Sequence, residues 1–183
     1  RGDEVGEFIR GFWETFPTIL SGNIGNKDSQ TDNSYHVLTA IDLSDRIAIN
    51  GFIIKDGYAD GSGSNRHGAG IYVKNISTTS FNSSINSCLF TQNIAAIGDG
   101  GGLYIENANF NIGFQTYANN EARGDGGAIC IRGASSIANI GTCDFIENTR
   151  RQEEGGAIAA FGQEVNITRT AFVQLQRTQG RGI

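Results

Sequence analysis

The sequence predicts an all-β protein, a parallel β-helix in which one structural unit is repeated along an axis. Two motifs alternate in fixed order: a glycine-rich phrase that ends in Ile or Leu, and an aromatic residue followed three positions later by Asn. The chain also has 26 glycines, one proline and no methionine. Its apolar residues alternate with polar ones instead of recurring at helical spacing, and this alternation indicates strands.

The glycine-rich phrases mark one column of the expected coil. They end at Ile71, Leu103, Ile129 and Ile158. Each phrase opens a short strand whose first and third residues would face the core. Glycine supplies the positive φ of tight corners and lets the backbones of successive turns approach closely. Because one turn cannot bury its own apolar face, turns stacked about 4.8 Å apart would join these faces into one continuous core.

The aromatic motifs mark a second column, with a repeat of about 27 residues. This column consists of Phe52, Phe90, Tyr117, Phe145 and Phe172. The asparagines of the motif are expected to form a ladder at another corner, where Asn tolerates the left-handed conformation and its amide can bond to neighbouring turns. They are Asn93, Asn120 and Asn148. The spacing predicts about six coils.

The two ends of the chain differ from the repeats. Apolar residues recur at helical spacing from Val5 to Phe16, so residues 4–16 are expected to form an amphipathic helix that covers the first coil. Asp3 can cap this helix and Pro17 ends it. We therefore divide the chain into a cap at 1–16, a β-helix at 17–175, and an irregular tail at 176–183, where we expect a truncated chain end.

Composition excludes several classes of function. The 183 residues suffice for one domain, and the net charge of −5, with scattered basic residues, argues against nucleic-acid binding. No apolar run approaches the roughly 20 residues that span a bilayer, so direct membrane insertion is not expected. The absence of a signal peptide and of a starting methionine suggests a mature or trimmed fragment. The three cysteines provide no disulfide framework: Cys88 and Cys143 would lie two coils apart, and Cys130 is expected to face outward as a free thiol.

A polar column precedes the glycine-rich phrases. It consists of His67, Asp99, Asp125 and Glu154. Like charges one coil apart repel each other unless water or a cation intervenes, so a calcium ion bridging Asp99, Asp125 and Glu154 is one interpretation. A row of solvated turn residues is the other. No further cofactor is predicted.

The outward positions of the same strands form a candidate binding face. Tyr72 and Tyr104 would lie side by side and could offer a flat platform for a sugar ring, or could simply fill the surface. Lys74, Glu106 and Arg132 alternate in sign and would form ion pairs between neighbouring strands. An insertion at residues 57–67 adds a loop that carries Tyr58 and Arg66, and such loops either bind partners or are tolerated decoration.

The alternating GGA(I/L) and FxxN motifs resemble those of right-handed parallel β-helix proteins on bacterial surfaces, such as the polymorphic outer-membrane adhesins. The stretch from Pro17 to Gly25, followed by residues 32–37, also resembles the opening of large secreted β-helix proteins. The resemblance covers about Pro17 to Phe172. It implies a right-handed coil of pectate-lyase-like fold and an extracellular or outer-surface location. It carries over no catalytic signature.

The sequence supports three hypotheses about function. The first is a non-enzymatic module of a larger surface protein, which serves as a stalk or adheres to a host cell, a neighbouring cell or a polysaccharide. The second is a polysaccharide lyase or hydrolase that would use Asp99, Asp125 and Glu154 for metal or acid work and Arg132 or Lys74 as the basic partner. The third is a surface-filament subunit that associates end to end.

Overall fold

The computed structural model describes residues 17–77, 83–150 and 156–173, which form a parallel β-solenoid. A 3-10 helix spans Gly63–Arg66. Among the described residues, no helix has the length and apolar character needed to cross a bilayer. The strands are β1 (Thr18–Ser21), β2 (Leu38–Ile41), β3 (Ala48–Asn50), β4 (Phe52–Lys55), β5 (Ile71–Ile76), β6 (Ser84–Asn86), β7 (Leu89–Thr91), β8 (Ile94–Ala95), β9 (Leu103–Gly113), β10 (Thr116–Ala118), β11 (Glu121–Ala122), β12 (Ile129–Arg132), β13 (Ile137–Gly141), β14 (Asp144–Ile146), β15 (Thr149–Arg150), β16 (Ile158–Ala160), β17 (Glu164–Thr168) and β18 (Ala171–Val173).

The strands stack in parallel into three sheets that surround the core. One sheet has the order β1-β4-β7-β10-β14-β18, and a short sheet has the order β15-β11-β8. The largest sheet joins two stacks, β2-β5-β9-β12-β16 and β3-β6-β9-β13-β17, through the long strand β9. The parallel β-helix predicted from the repeats is confirmed.

The number of complete turns is smaller than predicted. Three successive turns, which begin with β7, β10 and β14, place strands in every sheet. The earlier turns do not add a strand to the short sheet and reach it only through an isolated bridge from Tyr58 to Ile94. The expectation of about six coils was wrong for complete turns. Each repeat of the motifs was counted as one coil, although the earlier turns do not contribute a strand to all three sheets.

The register of the glycine column is the one that the sequence predicts. Ile71 pairs with Leu103, Leu103 with Ile129, and Ile129 with Ile158, and Leu38 precedes them in the same row. All three central members are at most 1% exposed. Like residues therefore form vertical rows around a shared apolar core.

The aromatic column is confirmed from Phe90 onward and wrong at its start. The rings of Phe90, Tyr117, Phe145 and Phe172 stack at centroid distances of 4.6, 5.0 and 5.1 Å. Phe52 pairs with Thr18 instead, and Ile54 is the residue aligned with Phe90. A shift of two residues keeps the same face of a strand, so alternation alone could not separate these two positions.

Left-handed residues form the corners of each turn. Gly68, Gly100 and Gly126 have φ of 61°, 66° and 67° at one corner. At the ladder corner the positive φ belongs to the residue before each ladder asparagine, at Gln92, Asn119 and Glu147, with φ of 57°, 55° and 50°. The expectation that the ladder asparagines themselves adopt this conformation was wrong.

The glycines also allow the close stacking that the sequence analysis expected. A Cβ at Gly101 would collide with the carbonyl oxygens of Glu121 and Gly127. The predicted cap helix at 4–16 and the predicted tail at 176–183 lie outside the described residues. The described strands begin at Thr18 and end at Val173.

Candidate functional site

The predicted polar column lies at the glycine corner and holds a cluster of charged side chains. Asp99 and Asp125 directly precede Gly100 and Gly126, whose left-handed backbones turn the chain at the same place in successive turns. The backbone N–H of Asp125 donates to Oδ1 of Asp99 at 2.8 Å. The two carboxylates therefore lie one above the other, as the spacing predicts.

Arg132 bridges this pair of carboxylates. It is the last residue of β12, and its Nε donates to Oδ2 of Asp99 at 3.2 Å while its Nη2 donates to Oδ2 of Asp125 at 2.9 Å. Its guanidinium carbon lies 4.6 Å from the ring centroid of Phe161, where the cation faces the π system. Arg150 adds a second cation, 3.6 Å from Oδ1 of Asp125.

Asp99 is ionised in the folded protein. Burial would raise its pKa, but the hydrogen bond with His67, the bond from the Asp125 N–H and the charge of Arg132 outweigh burial and hold the pKa at about 2. Nδ1 of His67 lies 3.1 Å from the backbone nitrogen of Asp99 and 3.4 Å from its carboxylate. The site is therefore a compact network of ion pairs and hydrogen bonds.

The tyrosine face is covered by its neighbours. Tyr72 and Tyr104 stack at 5.4 Å, and His36 and His67 stack on them at 5.1 and 4.7 Å. The tyrosines are only 2% and 4% exposed, so they fill this face beneath the histidines. Carbohydrate binding by these residues stays a prediction. His36 and His67 fold back over this sheet. The alternation of residues along a strand does not indicate that residues from elsewhere will cover it.

Cys130 belongs to the same buried layer. It lies on the outward face of β12, as predicted, and packs with Tyr72 and Tyr104, so that it is 0% exposed. Burial, with Asp99 adding to it, raises the pKa of the Cys130 thiol to about 12. Since the thiolate is the reactive form, this thiol is a poor nucleophile. Cys88 and Cys143 are also buried and form no disulfide, as their separation by the Gln115 turn predicts.

The predicted ion pairs between neighbouring strands form in part. Lys74 Nζ lies 3.0 Å from Oε1 of Glu106, and the hydroxyl of Tyr104 donates to Oε2 of the same carboxylate at 3.3 Å. Arg132 is aligned with Glu106 in the backbone register, but its guanidinium pairs with Asp99 and Asp125. Lys74 and Arg132 therefore belong to two separate ion-pair groups.

Calcium binding stays a prediction. Glu154, the third proposed ligand, lies outside the described residues. Within the described ranges, no three His, Cys, Asp or Glu side chains are grouped as a metal site would require. The oxygens of Asp99 and Asp125 already accept hydrogen bonds from N–H donors.

The inserted loop contributes to a groove that the sequence analysis missed. Arg66 is exposed and its Nη2 donates to the carbonyl of Ile97 at 2.8 Å. Tyr58 is half-buried and lines a polar groove of about 520 Å³ with residues of the preceding loop, 22–34. The dense run of polar residues from Asn26 to Asn33 was the available signal for this loop.

Comparison with known proteins adds no assignment. The chain matches no family model, no curated protein and no solved structure. Any function of this chain must therefore be inferred from its repeat geometry and its side-chain columns.

Proposed function

We propose that this chain is a non-enzymatic module of a larger cell-surface or secreted protein, located outside the cell or on its outer surface. It serves in adhesion or as a stiff stalk, as in the bacterial β-helix adhesins whose repeat motifs it resembles. The observation that carries this proposal is that the polar side chains of the corners bond to one another along the coil axis. In the part of the chain that the structure describes, they do not converge on an open reaction centre.

The asparagine ladder is the main support for stiffness. Nδ2 of Asn93 donates to the carbonyl of Ile54 at 2.9 Å and to Oδ1 of Asn120 at 3.0 Å. Asn120 repeats the pattern with Phe90 and Asn148 at 2.9 Å each. Each amide thus links neighbouring turns in a buried setting, where breaking such a bond is costly. A rod held in this way resists bending and extension.

Single-molecule force spectroscopy tests the stalk function. The protein is pulled from tags placed at its two ends, and we expect turns to unravel in steps. A turn of about 27 residues releases roughly 84–92 Å of chain, since an extended residue spans at most about 3.3–3.6 Å and the folded turn already spans about 4.8 Å of the axis. If the protein unfolds in one event, at a force no higher than that of a domain without an asparagine ladder, a mechanical role is contradicted.

Retention on polysaccharides and on cells tests adhesion. The protein is applied to an immobilised panel of neutral and acidic polysaccharides, and bound protein and released products are measured together. An adhesive module is retained and releases nothing. If the protein is retained neither on polysaccharides nor on cells, the adhesive function is contradicted and only the stalk function is left.

A polysaccharide lyase or hydrolase is the second candidate, because Asp99, Asp125 and Arg132 come within hydrogen-bond distance of one another. The same panel is assayed for new reducing ends and unsaturated sugars, with added calcium and with a chelator. Activity that Asp125→Asn abolishes, while the exposed control Asp60→Asn retains it, would favour the enzyme and overturn the non-enzymatic proposal. We expect no product from any of the three proteins.

A further inference from the structure

A second polar site is built around the loop between β1 and β2, and its lining residues differ from those of the charged corner. Residues 22–34 form a compact loop whose ends meet, because the N–H of Ser34 donates to the carbonyl of Gly22 at 2.8 Å. Within the loop, the N–H of Asn26 donates to Asp32 at 2.7 Å and that of Asn33 to Gln30 at 3.1 Å. The loop is therefore held in shape before any ligand arrives.

The loop and the segment after β4 enclose the groove of about 520 Å³. This volume falls within the range of small-molecule sites, about 300–1,000 Å³. Amide and hydroxyl side chains of the loop form one wall, and the ring of Tyr58 contributes to the other. Such a lining suits a ligand that both donates and accepts hydrogen bonds and also presents an apolar face.

One buried atom in the groove lining has its hydrogen-bonding capacity unused. Nδ2 of Asn33 donates to the carbonyl of Asp56 at 2.9 Å, which fixes the orientation of the amide. Oδ1 of the same side chain is buried and has no donor among the residues that the structure describes. Because this oxygen has almost no accessible surface, a ligand in the groove would bond to the exposed side chains beside it, such as Gln30.

The charges of the groove favour a neutral ligand. Lys27 and Asp28 contribute one charge of each sign to its lining. Asp56, the remaining charged residue, lies 3.2 Å from Lys55 and accepts the hydroxyl of Ser21 at 3.1 Å. No excess of one sign is left to select an anion or a cation.

We propose that this groove binds a neutral, hydroxyl-rich carbohydrate, with Tyr58 against a sugar ring and Gln30 bonding to a sugar hydroxyl. The inference rests on the proposed adhesive function, because that function is the reason to expect a carbohydrate ligand. It places the adhesion at this one groove. The charged corner at Asp99 and Asp125 takes no part in it.

The test is an NMR titration of the whole chain with neutral hexose disaccharides, with oligogalacturonate and with calcium alone. We expect the neutral sugars to perturb amides of residues 23–33 and 56–58. Gln30→Ala and Tyr58→Ala should weaken binding about five- to ten-fold, the loss expected for one hydrogen bond or one ring contact. The matched controls Gln163→Ala and Tyr35→Ala, at exposed positions outside the groove lining, should bind within about two-fold of the original protein.

Three results would overturn the inference. The first is that the groove amides respond to calcium or oligogalacturonate but not to neutral sugars. The second is that Gln30→Ala binds neutral sugars as tightly as the original protein does. The third is that the groove amides respond to none of these ligands. Gln30 is exposed, so its variant should fold even if Tyr58→Ala does not. If the protein is retained on polysaccharides and both groove variants are retained equally, the groove inference fails and the adhesive function stands. If neither sugar nor polysaccharide binds, both fail.

Discussion

At the scale of single residues, the least satisfied group in the core is the hydroxyl of Tyr117. The side chain is fully buried between Phe90 and Phe145, and its oxygen has no hydrogen-bond partner among the described residues. Since a buried hydroxyl without a partner costs about 1–3 kcal/mol, Tyr117→Phe is expected to raise the free energy of unfolding by about 1 kcal/mol or more. Urea denaturation measures the change.

The control is Tyr104→Phe, which removes a hydroxyl that does donate, to Glu106 at 3.3 Å. That variant is expected to be neutral or less stable. Loss of stability in Tyr117→Phe would show that the hydroxyl has a partner in the protein in solution.

Asp99 gives a prediction about pH. Its pKa is lowered from 3.8 to about 2, so the folded state favours the ionised form. The resulting stabilisation is fully present above about pH 4 and is lost as the pH falls through about 2. It amounts to about 2 kcal/mol, from 1.36 kcal/mol per pKa unit.

Denaturation between pH 2 and pH 6 measures this contribution as the difference between the original protein and Asp99→Asn. The difference should shrink as the pH falls, because only the original protein loses the ionised carboxylate. A difference that stays constant across this range would contradict the ion-pair role of Asp99.

Residue patterns predicted the carboxylate column but not the partners that surround it. Asp99 and Asp125 lie together because equal offsets from a repeated glycine place side chains one above the other. The pairing of Arg132 with these carboxylates depends on its rotamer, and the cover of Tyr104 depends on His67 folding back from the corner. The spacing of residues in the sequence predicts neither the rotamer of Arg132 nor the position of His67.

At the scale of elements, the two asparagine ladders differ in burial and allow a direct comparison. Asn120 is fully buried, donates to Phe90 and Asn148, and accepts from Asn93. Asn120→Ala leaves several buried groups without partners and should lower the free energy of unfolding by about 3 kcal/mol or more.

The matched control is Asn139→Ala in the second ladder. Asn139 is only partly buried, donates to Asn111 at 3.0 Å and accepts from Asn166 at 3.1 Å. Water can replace these bonds, so the expected loss is below about 1 kcal/mol. Equal losses in thermal or urea denaturation would show that burial does not decide the strength of the ladder.

The strands and their register were largely predictable because differences in repeat length are confined to loops and corners. Ile71 and Leu103 are 32 residues apart, yet they pair directly. The corner geometry was less predictable, since left-handed conformations at Gln92 and Glu147 belong to residue types with no special preference for them. Tertiary stacking imposes those conformations.

At the scale of the whole molecule, the repeats predict the fold class but do not predict what covers the first and last turns. Each turn is covered by the next, so the last described turn presents apolar groups that an inner turn would bury. Ile167, Phe172 and Val173 are 45%, 57% and 47% exposed. They line an apolar cavity of about 470 Å³ with Phe145 and Ile158.

This end predicts association between copies. Among the described residues, β16, β17 and β18 are the last strands of their stacks and β1, β2 and β3 are the first, so a second copy whose first turn is not covered by the predicted cap at 4–16 could continue all three in parallel. Ile19 and Ile41 are 51% and 39% exposed at the opposite end. Sedimentation velocity on the 183-residue chain should therefore show a mass that rises with concentration.

Val173→Lys and Ile167→Lys should reduce this association, because each places a charge where the next copy would bury an apolar side chain. Thr168→Lys is the matched control: it adds the same charge at an exposed polar position of β17 and should leave association unchanged. A chain that stays monomeric at all concentrations, or that associates equally in all three variants, would mean that this end is covered by other means. In that case the apolar rows of the last turn belong to the inside of a single molecule.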